Sequence, residues 1–170
     1  TVITSIVISG NRNTIVMGAS CQFTGNITLS GNHNILRMGV LANLDGNVTV
    51  SGTGNEVHLG VGSNLATTKT MLLSGANSKC IVGAEAAWLG IISMTADDTY
   101  LEIGNQSTIT GVTGLVTGTG QILKCGNEVN LVGNVTVSAN DAELHMGSTA
   151  NIDGDFTISG TGAKVSFGSS

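Results

Sequence analysis

Proline is absent from this 170-residue chain, and aromatic and charged residues are scarce, at 3% and 10% of the sequence. Disordered chains combine low hydrophobicity with high charge, whereas 41% of these residues are apolar. The composition therefore favours a folded chain. A net charge of -5 argues against nucleic acid or anionic lipid as a partner. No run of 18 apolar residues is present, so we expect no membrane insertion.

Disulfide chemistry and a leader sequence are equally unsupported. The three cysteines, Cys21, Cys80 and Cys125, are an odd number without a CxxC pair, so we expect reduced, core-facing thiols. The chain opens in "TVITSIVISG", which has no charged region followed by a cleavage site. This favours a mature product, a fragment, or a protein exported without a classical signal.

What the chain does have is a repeat of about 21 residues. "SGNRNTIVMG" at 9–18 returns as "SGNHNILRMG" at 30–39 and "SGTGNEVHLG" at 51–60. An apolar residue followed by glycine anchors each period, and successive glycines are 21, 21, 23, 21, 22, 21 and 21 residues apart: Gly18, Gly39, Gly60, Gly83, Gly104, Gly126, Gly147 and Gly168. The repeat runs from end to end, so we predict a single domain over residues 1–170.

Each period contains three short stretches in which apolar and polar residues alternate, such as "NITLSG", "NTIVMG" and "ASCQF". Alternation with a period of two predicts strands. Units this small bury their apolar faces only by stacking. The sequence therefore predicts an all-β fold, a triangular parallel β-solenoid of about eight coils, roughly 40 Å long at ~4.8 Å per coil. Both ends are expected to be uncapped, with strand edges open to pairing.

The same alternation predicts the interior of the solenoid. The large inward column five places after each anchor glycine is expected to contain Phe23, Leu44, Leu65, Trp88, Ile109, Leu131 and Ile152. Two coils are longer than the others, and we expect outward bulges near 66–69 and 111–114. Glycine and asparagine at the corners are expected because they tolerate positive φ.

One outer face is predicted to consist almost entirely of small hydroxyl residues. We call it the Ser/Thr face and propose it as a contact surface; its residues are Ser9, Thr28, Ser30, Thr49, Ser51, Ser74, Ser93, Thr95, Thr117, Thr136, Ser138, Thr157 and Ser159. Val7, Leu72 and Leu115 are expected to interrupt it, and Asp155 is its one expected charge. The second strand of each coil is expected to carry the charges instead: Arg37, Glu56, His58, Lys79, Glu102, Lys124, Glu143, His145 and Lys164.

Segments such as "MGASCQF" and "LGVGSNL" resemble the hexapeptide repeat of left-handed β-helix acyltransferases. The resemblance implies a left-handed coil and a histidine that deprotonates an acceptor hydroxyl. The period of about 21 departs from that family's 18, so the handedness stays open. His33 falls at a corner, and His58 and His145 point outward four coils apart, which favours surface roles for all three.

Two further resemblances concern the whole rod. The "SGNRNTIVMG" coils and the Ser/Thr columns resemble β-solenoid ice-binding proteins, which implies ice as the ligand of that face. The short strands with Gly and Asn corners resemble the β-helical shafts of phage tail fibres, tailspikes and surface adhesins. That resemblance implies a mechanical role.

Catalytic and metal-binding patterns are missing from the sequence. The acidic pairs Asp97–Asp98 and Asp153–Asp155 lie on expected turns or outward positions, where solvation is the simplest role. We expect no enzyme activity, no cofactor and no metal site. The expected function is a structural rod located at a virion, a cell surface or outside the cell. Its partner would be itself, as an oligomer or filament, or flanking parts of a longer fibre, with ice binding and acyl transfer as alternatives.

Overall fold

A computed structural model describes residues 2–111, 114–115 and 117–168, with Leu115 described by its backbone alone. These residues form short β-strands and no helix, arranged in three parallel sheets of eight strands. Each strand pairs with strands about 21 residues away along the chain. The predicted all-β parallel solenoid of about eight coils is confirmed.

Every coil contributes one strand to each sheet, so β1–β3 form coil 1 and β22–β24 form coil 8. Sheet A contains β1 (Val2–Ile3), β4 (Gln22–Phe23), β7 (Asn43–Leu44), β10 (Asn64–Leu65), β13 (Ala87–Trp88), β16 (Thr108–Thr110), β19 (Asn130–Val132) and β22 (Asn151–Asp153). Sheet B contains β2 (Ile6–Ile8), β5 (Ile27–Leu29), β8 (Val48–Val50), β11 (Thr70–Leu73), β14 (Ile91–Met94), β17 (Gly114–Leu115), β20 (Val135–Val137) and β23 (Phe156–Ile158). Sheet C contains β3 (Thr14–Met17), β6 (Ile35–Met38), β9 (Glu56–Leu59), β12 (Lys79–Val82), β15 (Tyr100–Ile103), β18 (Ile122–Cys125), β21 (Glu143–Met146) and β24 (Lys164–Phe167).

The core is a set of in-register apolar columns inside the triangle. In sheet A, Phe23 stacks on Leu44, and Trp88 lies between Leu65 and Ile109. All five side chains are at most 1% exposed. Because like positions stack on like positions, the alternation within one coil fixes the burial of the whole column. The predicted inward column of sheet A is confirmed.

The corners give a different role to glycine than the sequence suggested. Positive φ does occur once per coil at the corner between sheets B and C, but most of the residues that adopt it are not glycine: Arg12, His33, Gly54, Asn77, Asp98, Gly120, Asp141 and Gly162. The anchor glycines have another cause. A Cβ on Gly60, whose φ is not positive, would lie 2.5 Å from the backbone carbon of Gly39 one coil away. Clearance between coils therefore selects glycine there.

The extra residues of the two longer coils lie at one corner, between sheets A and B. In coil 4 the chain turns through Thr68 (φ 66), and the Lys69 N–H donates to the Ala66 carbonyl at 3.4 Å. Thr67 and Thr68 are exposed, so the predicted bulge at 66–69 is confirmed. In coil 6, Gly111 and Gly114 have φ of 83 and 93, and residues 112 and 113 of the second predicted bulge lie outside the described residues.

We expect a thiol reagent to modify Cys21 in the folded protein and Cys80 and Cys125 only after unfolding. Burial raises the pKa of both Cys80 and Cys125 to about 12, which leaves on the order of a thousandfold less thiolate than an ordinary thiol has at neutral pH. Cys21 is half-buried, and its Sγ donates to the Gly18 carbonyl at 2.7 Å. Titration with a coloured disulfide reagent should give one equivalent in buffer and three in denaturant. Three equivalents in buffer would contradict the described core.

Candidate contact face

The Ser/Thr face lies on the outer side of sheet B. In β5, Ile27 and Leu29 are fully buried, and Thr28 between them is half-buried. The same alternation holds in β8 and β20. Parallel in-register pairing stacks the middle residues into one outward column, which we call the middle column: Val7, Thr28, Thr49, Leu72, Ser93, Gly114, Thr136 and Thr157.

A second hydroxyl column follows the strands of sheet B, and we call it the end column. Backbone bonds hold it in register: the Ser30 N–H donates to Ile8 O at 3.0 Å and the Ser51 N–H to Leu29 O at 2.9 Å. Its members are Ser9, Ser30, Ser51, Ser74, Thr95, Thr117, Ser138 and Ser159. All thirteen predicted residues of the face are exposed or half-buried. Their role as a contact surface stays a prediction.

One predicted interruption of the middle column is wrong. Leu115 pairs with Met94 and Val137, which are inward positions, and Gly114 occupies the outward position between Ser93 and Thr136. The extra residue of coil 6 precedes β17 and shifts the count by one, which the sequence could not locate. Leu72 and Val7 interrupt the column as predicted, and Val7 is 69% exposed.

A third column, which we call the first column, begins the face at the corner between sheets A and B. Asparagine side chains fix it, because Asn26 Oδ1 accepts from the Asn47 N–H at 3.0 Å and Asn134 Oδ1 accepts from the Asp155 N–H at 3.1 Å. Ile91 pairs with Thr70 in this column and is 43% exposed. Asp155 is the one charged side chain among the described positions of the three columns.

Sheet C has the opposite character, with charged and titratable groups paired along the rod. Glu56 contacts His58 at 2.9 Å, and Glu143 contacts His145 at 3.0 Å and Lys164 at 2.9 Å. In the same sheet, Lys124 lies 3.7 Å from Glu102. The three-dimensional structure thus confines most of the predicted charges to one side of the triangle and leaves sheet B nearly uncharged.

The environment of sheet C shifts three groups. Hydrogen bonds from Lys164 and His145 lower the pKa of Glu143, and the same contact with Glu143 raises the pKa of Lys164. Burial, followed by a hydrogen bond to Glu102, raises the pKa of Tyr100 to about 12. Tyr100 donates to Glu102 at 2.7 Å, and Lys79 Nζ lies 5.0 Å from its ring centre. The charged groups of this sheet therefore support one another.

The residues considered for catalysis are scattered in the described structure. His33 is exposed at the corner between sheets B and C, beside a shallow open groove formed with Asn11, Arg12, Asn32 and Thr53. His58 and His145 lie in β9 and β21, each bonded to a glutamate. Asp97 accepts from the Thr119 N–H at 2.9 Å and so serves the corner. Within the described ranges, no three His, Cys, Asp or Glu side chains are grouped as metal ligands.

Sequence reasoning missed a buried polar column at the corner between sheets B and C. Asn34 and Asn55 are fully buried. Asn55 Oδ1 accepts from the Asn34 N–H at 2.8 Å, and Asn55 Nδ2 donates to Gly31 O at 2.7 Å. The column continues inside the corner as Ser78, Thr99 and Gln121, all fully buried. The recurring third asparagine of "SGNxN" was the available signal for it.

Comparison of the chain with protein-family models, curated proteins and solved structures found no match. The described residues include no helix long and apolar enough to cross a membrane. The class defined by the structure is therefore a parallel β-solenoid with one nearly uncharged hydroxyl face and one charged face. The function of those faces has to be argued from their geometry.

Proposed function

We propose that the chain is a non-catalytic structural rod that makes lateral contacts through its Ser/Thr face. Segregation of charge is the observation that carries the proposal: sheet C is laced with ion pairs, and the outward columns of sheet B carry one carboxylate. Charged residues are depleted at the centres of protein interfaces. A flat, uncharged sheet face suits lateral packing better than free solvation.

The rod supplies stiffness and repetition to such an assembly. Backbone ladders run through all three sheets, and the buried columns lock each coil to the next. A viral fibre or spike shaft, a surface adhesin and a self-assembling extracellular filament all need these properties. The partner is a second copy of the chain or a flanking part of a longer fibre, and no cofactor takes part.

We expect the purified chain to self-associate with rising concentration, and Thr49→Lys to weaken that association at least tenfold. The lysine would place an unpaired charge in the middle of the Ser/Thr face, where desolvation is unfavourable. Light scattering across a concentration series would measure the mass, and electron microscopy would show paired rods or filaments.

Ile81→Lys is the matched control, because Ile81 is an outward residue of sheet C between His58 and Glu102. It adds the same charge and should leave association within about twofold of the wild type, as surface substitutions usually do. A folded, monomeric wild type at every concentration would rule out lateral self-contact.

Ice binding is the second candidate, favoured by the spacing of hydroxyls. The middle and end columns repeat at ~4.8 Å along the rod and lie two residues apart along each strand. An ice-recrystallisation assay on a monomeric wild type would test it. Inhibition that Thr49→Lys abolishes and Ile81→Lys retains would favour ice over a protein partner.

A further inference from the structure

We propose that two copies of the chain pair antiparallel through the Ser/Thr face, with Leu72 of each copy set against Gly114 of the other. This inference rests on the lateral contact proposed above and specifies its partner and geometry. The observation behind it is the order of residues in the middle column. Leu72, Ser93 and Gly114 occupy coils 4, 5 and 6 in direct register.

Leu72 is the difficulty that any flat contact must solve. It is half-buried and stands outward between Thr49 and Ser93. Its side chain is larger than its neighbours and projects beyond their hydroxyls. Gly114 presents no side chain and is itself buried, so it forms a recess about one side chain deep. The two positions lie equally far from Ser93, on opposite sides of it.

A two-fold axis in the plane of the interface, along β14, uses this symmetry. It preserves position along each strand and reverses the order of the coils, so coil 4 of one copy faces coil 6 of the other. Leu72 then meets Gly114 twice, and Ser93 meets Ser93. The remaining middle-column pairs are Thr49 with Thr136 and Thr28 with Thr157.

The first column is also matched by this axis. Ile91 belongs to coil 5 and is 43% exposed, so it meets its own copy on the axis and both isoleucines lose solvent contact. Asp155 in coil 8 faces Asn26 in coil 2, and an amide can donate a hydrogen bond to the carboxylate. The one charge of the face therefore avoids both an apolar neighbour and a like charge.

The parallel arrangement fits less well. An axis along the rod would set Leu72 against Leu72, which would hold the surrounding Ser and Thr residues apart and leave voids between the sheets. It would also set Ile91 against the end-column Thr95. Isologous pairing requires one surface to complement itself, and the antiparallel register does so at each of these positions.

The size of the face is consistent with a reversible dimer. Eight coils at ~4.8 Å and strands of about five residues at ~3.3 Å give roughly 550 Å² per copy, or about 1,100 Å² in total. Specific interfaces begin at about 1,000 Å². We therefore expect weak, concentration-dependent pairing of two chains.

Site-directed cross-linking tests the register directly. Thr28→Cys and Thr157→Cys would be made separately in a Cys21→Ala background, since Ala42 and Ala86 occupy the equivalent inward positions and Cys80 and Cys125 are buried. Because packed sheets lie ~10 Å apart, a thiol cross-linker of about that length is suitable. We expect the equimolar mixture of the two variants to give covalent dimers and each variant alone to give few.

The alternative outcomes are separable. Cross-linking of each variant alone, with none between them in the mixture, would show the parallel register and overturn this inference while retaining lateral contact. A monomeric wild type would overturn both proposals. Leu72→Asp should weaken pairing at least tenfold and Ile81→Asp on sheet C by less than twofold; equal effects of the two would also overturn the inference.

Discussion

Replacing Gly60 with alanine is expected to lower the free energy of unfolding by about 2–4 kcal/mol, at the upper end of overpacking effects. A Cβ at this position would lie within 2.6 Å of the Gly39 carbon, the Gly39 oxygen and the Val40 nitrogen. All three are backbone atoms of the preceding coil, so no side chain can rotate away. The two coils must separate, which strains the ladders of the adjoining sheets. Chemical denaturation followed by circular dichroism would measure the loss.

Gly18→Ala is the matched control for this substitution. Gly18 occupies the same repeat position in coil 1, and a Cβ there would meet nothing within 4 Å. We expect a change within about 0.5 kcal/mol, as for an unobstructed surface site. Equal losses for the two variants would show that the local backbone, rather than the distance between coils, requires glycine.

Asn55→Leu is expected to cost about 2–5 kcal/mol, because it leaves two buried backbone groups without partners at roughly 1–3 kcal/mol each. The Asn34 N–H and the Gly31 carbonyl both depend on the Asn55 amide, at 2.8 and 2.7 Å. Leucine is similar in size to asparagine but offers neither donor nor acceptor. Denaturation would report the loss, and hydrogen exchange at the Asn34 amide should accelerate more than exchange at neighbouring amides.

Asn32→Ala separates burial from hydrogen bonding as the cause. Asn32 Oδ1 accepts from the Thr53 N–H at 2.9 Å in the exposed column of the same corner. Water can replace that bond, so we expect a loss of at most about 1 kcal/mol. Asn55→Ser should fall between the two, since serine occupies the same position as Ser78. A loss for Asn32→Ala as large as that for Asn55→Leu would contradict the role given to the buried column.

The repeating core could be predicted from sequence because alternation and period determine it jointly. Once Phe23 and Leu44 are placed five residues after their glycines, in-register stacking places Trp88 and Ile109 as well. The reversal at Gly114 and Leu115 could not be predicted, since it depends on which side of a strand an added residue enters. The need for glycine at Gly60 was also hidden, because it arises from contact between coils that are distant in sequence.

The Ser/Thr face was predictable as a set of residues, but its shape was not. The sequence marks Thr28, Thr49 and Thr136 as outward positions of strands with one buried side. The recess at Gly114 and its symmetric relation to Leu72 appear only when the strands of sheet B are aligned. The buried Asn55 escaped prediction because an asparagine at a turn is ordinarily exposed, and its burial depends on a side chain turning into the corner.

The constant register of the three sheets makes length a countable property of this molecule. Each coil adds one strand to every sheet and one residue to every column, without altering the chemistry of any face. Removal of residues 30–50 would leave the flanking columns aligned and shorten the rod by one strand spacing, ~4.8 Å. Reach and contact area would then change together in equal steps, so duplication or loss of a single repeat can adjust the span of the rod while its surfaces stay the same.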